Sequence, residues 1–342
     1  MKSTAFTNRN TCARMLTAVC KPDLVTTAPV CVLGLGLIGG SVLRAAVRAG
    51  RTAWGYNRSA DAIAGSAEAG FDTGTDLAAA LIRAADTDAL IVIAVPMPAV
   101  DSILDAIGEY APDNRITDVV SVKAEVADAV ARHGLSPRYV GGHPMAGTNF
   151  SGWSAADPDL FVGAVWVVGA DDDADPDVWR SVASLALDCG SVVVPVESRE
   201  HDRAVARISH LPHLLAETLA IVGASGSPLA LGLAAGSFRD GTRVASSSPD
   251  LVRAMCEGNA EALTEALDDA LLLPRRAREE LADETSTRTL VTEGHRARTR
   301  YEEHERFDIT DVTPGDPGWL ADLRAAGRRG GVIRQIRVAS PG

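Results

Sequence analysis

The stretch that most constrains this chain is PVCVLGLGLIGGSVLRAAVRAG, residues 29–50. Its apolar run from Val30 to Leu35 is short enough for a buried strand. The apolar spacing then becomes helical at Ile38, Val42, Ala45, Ala46 and Ala49, ending at Gly50. Between the two periodicities lies Gly34-x-Gly36-x-x-Gly39. A strand that turns directly into a helix needs Gly34 for the tight turn and Gly36 so that a ligand can approach the backbone. Gly39 lets helix and strand pack closely. The new helix then presents the free amides of its first turn, around Leu37 and Ile38, to a pyrophosphate. This pattern predicts a dinucleotide site on a βαβ unit.

The second strand, AWGYNRS at 53–59, reaches the position where an acid usually holds the ribose 2′-hydroxyl of NAD. Here stand Asn57, Arg58 and Ser59. Arg58 can grip a 2′-phosphate and Ser59 can donate to it, so NADP is favoured; NAD bound through Asn57 is the alternative. Further strands follow in βα rhythm at 89–96, 115–122, 138–144, 164–170 and 191–196, giving about seven in all. Val95 and Pro96 close one of them and join the candidate cofactor contacts. Ligands of such sheets sit beyond the carboxyl ends of the strands. Ser121 and His143 both fall there, His143 within GGHPMAGTNFSG, residues 141–152. The fold class is therefore an α/β Rossmann-type parallel sheet over residues 29–197.

After Pro195 the strand signal stops and the second half reads as all-helical, residues 198–307. Apolar positions 205, 208, 211, 215, 219 and 222 form a helical stripe, with Pro212 expected to kink it between His210 and His213. No acid or Cys completes a ligand set around that His pair, so no metal is expected. A Gly- and Ser-rich connection at 236–251 carries Arg239 and Arg243, and further helices are expected at 251–273 and 275–307. Residues 308–342 read as a C-terminal tail with one helix in GWLADLRAAGRR.

Composition narrows the function. With 46% hydrophobic and 23% charged residues the chain is of ordinary globular type, and a net charge of −12 argues against a nucleic-acid surface. The five cysteines form no CxxC and read as reduced thiols of a cytoplasmic protein. Residues 1–28 lack the apolar core of a signal peptide and read as a flexible arm, or as an over-long start before Met15. No apolar run approaches the ~20 residues of a membrane span.

In order and spacing, GLGLIGGS, DVVSVK at 118–123, GGHPMAGT, SHLPH at 209–213 and FRDGTR at 238–243 closely resemble the prephenate/arogenate dehydrogenase family of tyrosine biosynthesis. The resemblance covers roughly residues 29–300. It implies a Rossmann domain joined to a helical domain that forms a homodimer. The implied reaction is oxidative decarboxylation of prephenate to 4-hydroxyphenylpyruvate with NAD(P). It implies that His143 accepts the ring hydroxyl proton and that Ser121 orients that hydroxyl. Arg243 matches the substrate-anchoring arginine, with His213, Ser209 and Thr148 as further substrate contacts. Gly141, Gly142 and Gly147 are expected to keep space open over His143. Where arogenate users often carry an acid, this chain has Asn149, which favours prephenate over arogenate; an arogenate or dual cyclohexadienyl dehydrogenase is the alternative.

Two other classes fare worse. The 3-hydroxyacid dehydrogenase group uses a lysine of its helical half, and Lys123 is the last lysine of this chain. A non-enzymatic dinucleotide-sensing regulator would leave His143 and Ser121 without a task.

Overall fold

The computed structural model describes residues 28–148 and 150–336. The predicted strand–glycine–helix unit opens it as β1 (Val30–Leu33) and α1 (Leu37–Arg48). Then come β2 (Ala53–Tyr56), α2 (Ala60–Glu68), β3 (Thr73–Gly74), α3 (Leu77–Asp86) and β4 (Leu90–Ile93). Next are α4 (Val100–Tyr110), β5 (Ile116–Asp118), α5 (Ala124–Arg132) and β6 (Gly142–Pro144). The half closes with β7 (Val165–Gly169), α6 (Pro176–Asp188) and β8 (Val192–Val196).

Five strands form a parallel sheet in the order β3-β2-β1-β4-β5. β1 and β4 are fully buried, as expected of apolar strands with helices on both faces. A second sheet, β6-β7-β8, continues from β5 through a parallel bridge between Ile116 and Tyr139. β6 runs antiparallel to β7, and β7 runs parallel to β8. β3 went unread in the sequence because two residues carry no periodicity.

The helical half begins with α7 (Ser198–Val205), passes through a π-helical turn (Ala206–His210) and continues as α8 (Leu211–Ala224). Pro212 lacks an N–H and its ring would meet the carbonyl four residues back, so the chain widens one turn before it. The expected kink is thus a π turn, and it carries Ser209 and His210. Then follow α9 (Pro228–Gly232), α10 (Gly236–Thr242), α11 (Pro249–Glu257), α12 (Ala260–Glu284) and α13 (Arg288–Glu302). Pro274 does not divide two helices as expected; it lies inside α12 on an exposed face.

From Phe307 the chain returns to the first half. β9 (Phe307–Asp308), α14 (Trp319–Arg328) and β10 (Gly331–Val332) pack beside β8. Ile333 exchanges backbone hydrogen bonds of 2.9 and 2.8 Å with Val193. Trp319 meets Trp179 of α6 edge to face at 5.8 Å. A Cβ at Gly327 would lie 2.2 Å from the Pro195 carbonyl oxygen, so α14 approaches β8 as closely as backbone allows. Trp319→Ala should therefore lower stability by about 3 kcal/mol, read as a fall in the denaturant midpoint. An unchanged midpoint would show that this segment is not part of the core.

Candidate active site

The phosphate-binding turn is defined by what it excludes. Gly34 has φ +108°, and a Cβ there would stand 2.5 Å from the Ala94 carbonyl oxygen of the neighbouring strand end. At Gly39 a Cβ would lie 1.9 Å from the Gly34 oxygen. Gly36 differs: nothing lies within 4 Å of its Cβ position. Side chains are barred where helix meets strand, and space is left where a pyrophosphate would approach. Gly36 caps α1 with no side-chain acceptor on the first-turn amides, which leaves those of Leu37, Ile38 and Gly39 for an anion. The residues present thus fit a dinucleotide.

At the end of β2, the Asn57 side chain accepts from the Ser59 amide. The Ser59 hydroxyl oxygen caps α2 by accepting from Ala62 N, and its own hydrogen has no acceptor among the described residues. Arg58 is exposed and has no ion pair among the described residues. Val95 is half-buried and Pro96 exposed beyond β4, next to the glycine turn.

Beyond β5 and β6 the chain builds a buried charged platform. Asp118 is fully buried and pairs with Lys123 Nζ; it accepts from Tyr139 Oη at 2.6 Å and from Val120 N at 2.8 Å. Lys123 also donates to the Gly142 carbonyl at 2.7 Å. Burial lowers the Lys123 ammonium below its ordinary value against the pull of Asp118. This pair ties the strand end carrying Ser121 to the strand carrying His143. It also explains Gly141 and Gly142, for which openness over His143 was expected. A Cβ at Gly142 would lie 2.7 Å from the Asp118 carbonyl oxygen, and one at Gly141 would lie 2.9 Å from Tyr139 Oη. Both are bare because the platform packs against them; only Gly147 faces open space.

His143 is half-buried on β6. Its Nδ1 lies 2.9 Å from Nε2 of His201, whose Nδ1 lies 2.8 Å from Asp202 Oδ1. Burial, then the neighbouring His201, Lys123 and His210, hold the His143 imidazole well below its ordinary range. The imidazole is neutral near pH 7. His210 is fully buried, accepts at Nδ1 from the Asn259 side-chain amide at 3.2 Å, and is pushed down to about 4, chiefly by burial. His213 is half-buried and lowered by burial, with the Arg243 charge acting in the same direction. His143 contacts His201 directly, and beyond that pair the charges of His201 and His213 act on His210 and that of Arg243 acts on His213. Ser209 is half-buried on the π turn and Arg243 is exposed. Ser121 is half-buried past β5, and Thr148 is exposed in a local turn with Phe150. Asn149 lies outside the described residues. His201 and Asp202 were missed by sequence reasoning. Their signal is the Glu-His-Asp run at 200–202, which carries no spacing pattern.

Among the described residues no His, Cys, Asp or Glu group of three or more could hold a metal, and Cys31, Cys189 and Cys256 are free thiols. Cys12 and Cys20 lie outside the described residues.

Fold and site together define a two-part protein of the Rossmann type, a nucleotide-binding half joined at a histidine cluster to a helical half. Family models for the prephenate dehydrogenase nucleotide-binding domain and dimerization domain match residues 43–195 and 197–292. The chain belongs to the prephenate dehydrogenase family, a family of NAD(P)-dependent oxidoreductases. It is similar to a prephenate dehydrogenase of Bacillus subtilis, 32% identical over 249 residues, which are 70% of this chain and 66% of that one. A cyclohexadienyl dehydrogenase of Zymomonas mobilis is 30% identical over 75% of this chain and 89% of its own length. A crystal structure of a candidate prephenate dehydrogenase from Corynebacterium glutamicum superposes with a TM-score of 0.87 at 50% identity, covering 91% of this chain and 99% of that one. The chain thus spans just under two thirds of the Bacillus relative and 53% of a Lactococcus lactis prephenate dehydrogenase.

The imidazoles make acid stability a direct test. A folded-state pKa below that of the unfolded side chain means that the unfolded chain binds the extra proton, so stability falls as pH falls. The denaturation midpoint should drop as pH goes from about 6.5, the ordinary histidine value, toward the about 4 of His210. His210→Gln should flatten that slope. An equal slope in the variant would show that His210 is protonated in the fold.

Proposed function

We propose that this chain is a prephenate dehydrogenase that converts prephenate to 4-hydroxyphenylpyruvate and CO₂. The observation that supports this most is the neutral, half-buried imidazole of His143 at the rim of the sheet, hydrogen-bonded through Nδ1 to His201. A carbinol gives up hydride readily only when its O–H proton is accepted in step, and neutral imidazole suits that near pH 7. The nicotinamide, when bound, supplies the hydride acceptor.

His143 takes the hydroxyl proton, and Ser121, from the neighbouring strand end, orients that hydroxyl. Arg243 anchors a carboxylate of the dianionic substrate by charge-assisted hydrogen bonds, with His213, Ser209 and Thr148 around it. As the ring carboxylate leaves as CO₂, its bonding electrons aromatise the ring and the oxygen takes back a proton. Asn149 offers no negative charge to an ammonium, which favours prephenate over arogenate. Arg58 and the Ser59 hydroxyl hydrogen, both without a partner among the described residues, favour NADP over NAD.

The apolar stripe of the π turn and α8 supports a homodimer. Ile208, Leu215, Leu219 and Val222 follow helical spacing yet are exposed, as are Leu229 and Leu233 of the α9 region. Such a patch marks an interface.

The reading is tested with prephenate and arogenate, each offered NAD and NADP, and followed by nicotinamide absorbance. Turnover of prephenate with NADP is expected; no turnover of either substrate would end the assignment. His143→Asn should cut kcat at least ~100-fold with cofactor affinity nearly unchanged, and equal losses in both would mark His143 as structural. Arg243→Ala should act chiefly on the KM for substrate. Arg58→Ala should weaken NADP far more than NAD; an equal effect would refute the NADP preference. Leu219→Asp should convert a sedimenting dimer to monomer, and an unchanged sedimentation coefficient would remove α8 from the interface.

A further inference from the structure

Two side chains that the reaction above does not use sit directly behind His143. His201 and Asp202 are buried, and the His143 and His201 rings meet edge to face at 5.1 Å and 77°. The position of each hydrogen in this line follows from its far end. Asp202 accepts from the backbone amides of Lys123 and Ala124, each at 2.8 Å. Burial alone would raise its carboxyl, but the His201 bond and those two amides outweigh it and bring it below its ordinary value. A carboxylate has no hydrogen to give, so Nδ1 of His201 donates to it. In a neutral imidazole the other nitrogen then accepts, and Nε2 of His201 faces His143 with a lone pair. Nδ1 of His143 must therefore donate. That leaves Nε2 of His143 as the acceptor, with no partner among the described residues.

We propose that His201 and Asp202 form a positioning and proton-holding pair: they fix the His143 tautomer that offers Nε2 to substrate, and His201 takes the Nδ1 hydrogen of His143 as Nε2 receives the hydroxyl proton. The identity of the proton donor rests on the reaction proposed above. The substrate O–H bond breaks and an Nε2–H bond forms on His143. In step, the Nδ1–H bond of His143 breaks and an Nε2–H bond forms on His201. His143 stays neutral overall, and the imidazolium is His201, in contact with the Asp202 carboxylate. When the C–CO₂ bond breaks and its electron pair reaches the ring oxygen, both protons retrace their paths. The product is the phenol, and the line returns to its starting tautomers. No oxidant beyond the nicotinamide is needed.

The surroundings explain why the charge moves on. The groups facing His143 are the Lys123 ammonium from the β5–α5 connection, with Asp118 and Asp171 acting on it, and His210 from the π turn. A cation on His143 would sit in a buried place opposite another cation. One on His201 sits against a carboxylate fixed by a helix N-terminus.

The test begins with the unliganded wild-type protein labelled with ¹⁵N-histidine. Long-range ¹⁵N–¹H correlation spectra at neutral pH report the tautomer of each ring, assigned by the peaks lost in His143→Asn and His201→Gln. Nδ1–H tautomers at both His143 and His201 are expected; Nε2–H at His143 overturns the proposal. Glutamine at 201 can still accept from Nδ1 of His143 through its amide oxygen but cannot take a proton. His201→Gln should therefore lower kcat at least about 10-fold with little change in KM. It should also move the acid limb of the kcat profile to lower pH, because His143 alone must then hold the proton. An unchanged kcat and limb would refute proton holding. Prephenate turnover with an Nε2–H tautomer at His143 would sink the pair and spare the reaction. Nδ1–H tautomers in a protein inert to prephenate would sink the reaction instead.

Discussion

A buried carboxylate, Asp202, ties the two halves of this molecule together. Asp202 lies on the first helix after the sheets, yet its oxygens accept from the two amides that open α5 and from the imidazole of the residue before it. Its backbone carbonyl accepts from Asn259, at the start of α12. A buried anion is tolerable only when donors surround it, and these come from the nucleotide-binding half and from α7. The relative placement of His143, His201 and the π turn depends on this junction. Asp118 and Lys123 act within the nucleotide-binding half, locking the strand ends that carry Ser121 and His143.

Much of this architecture was legible in the sequence because burial imposes periodicity. β1 and β4 are continuous apolar runs, and the glycines between β1 and α1 are the residue type that their contacts demand. What escaped reading has no period to read. β3 has two residues, and α12 tolerates Pro274 because an exposed helix face can give one unpaired carbonyl to water. The stripe along the π turn and α8 was read correctly as helical, but only the structure shows that it stays exposed among the described residues.

The site was legible in part. His143 stood out for its bare setting, although the bareness of Gly141 and Gly142 reflects the buried platform behind them and not an approaching ligand. His201 and Asp202 were invisible because hydrogen bonding across 58 residues leaves no trace in local spacing. Arg243, His213 and Ser209 carry no pattern of their own either; the family resemblance singled them out.

The central claim is that Nε2 of His143 faces the reacting hydroxyl. A crystal structure of the protein with a nicotinamide cofactor and 4-hydroxyphenylpropionate, a product analogue, tests it most directly. The account predicts the phenol oxygen within about 3 Å of His143 Nε2, with the analogue's carboxylate directed to the Arg243 side. A phenol oxygen turned away from His143, with the ring seated elsewhere in the cleft, would contradict it.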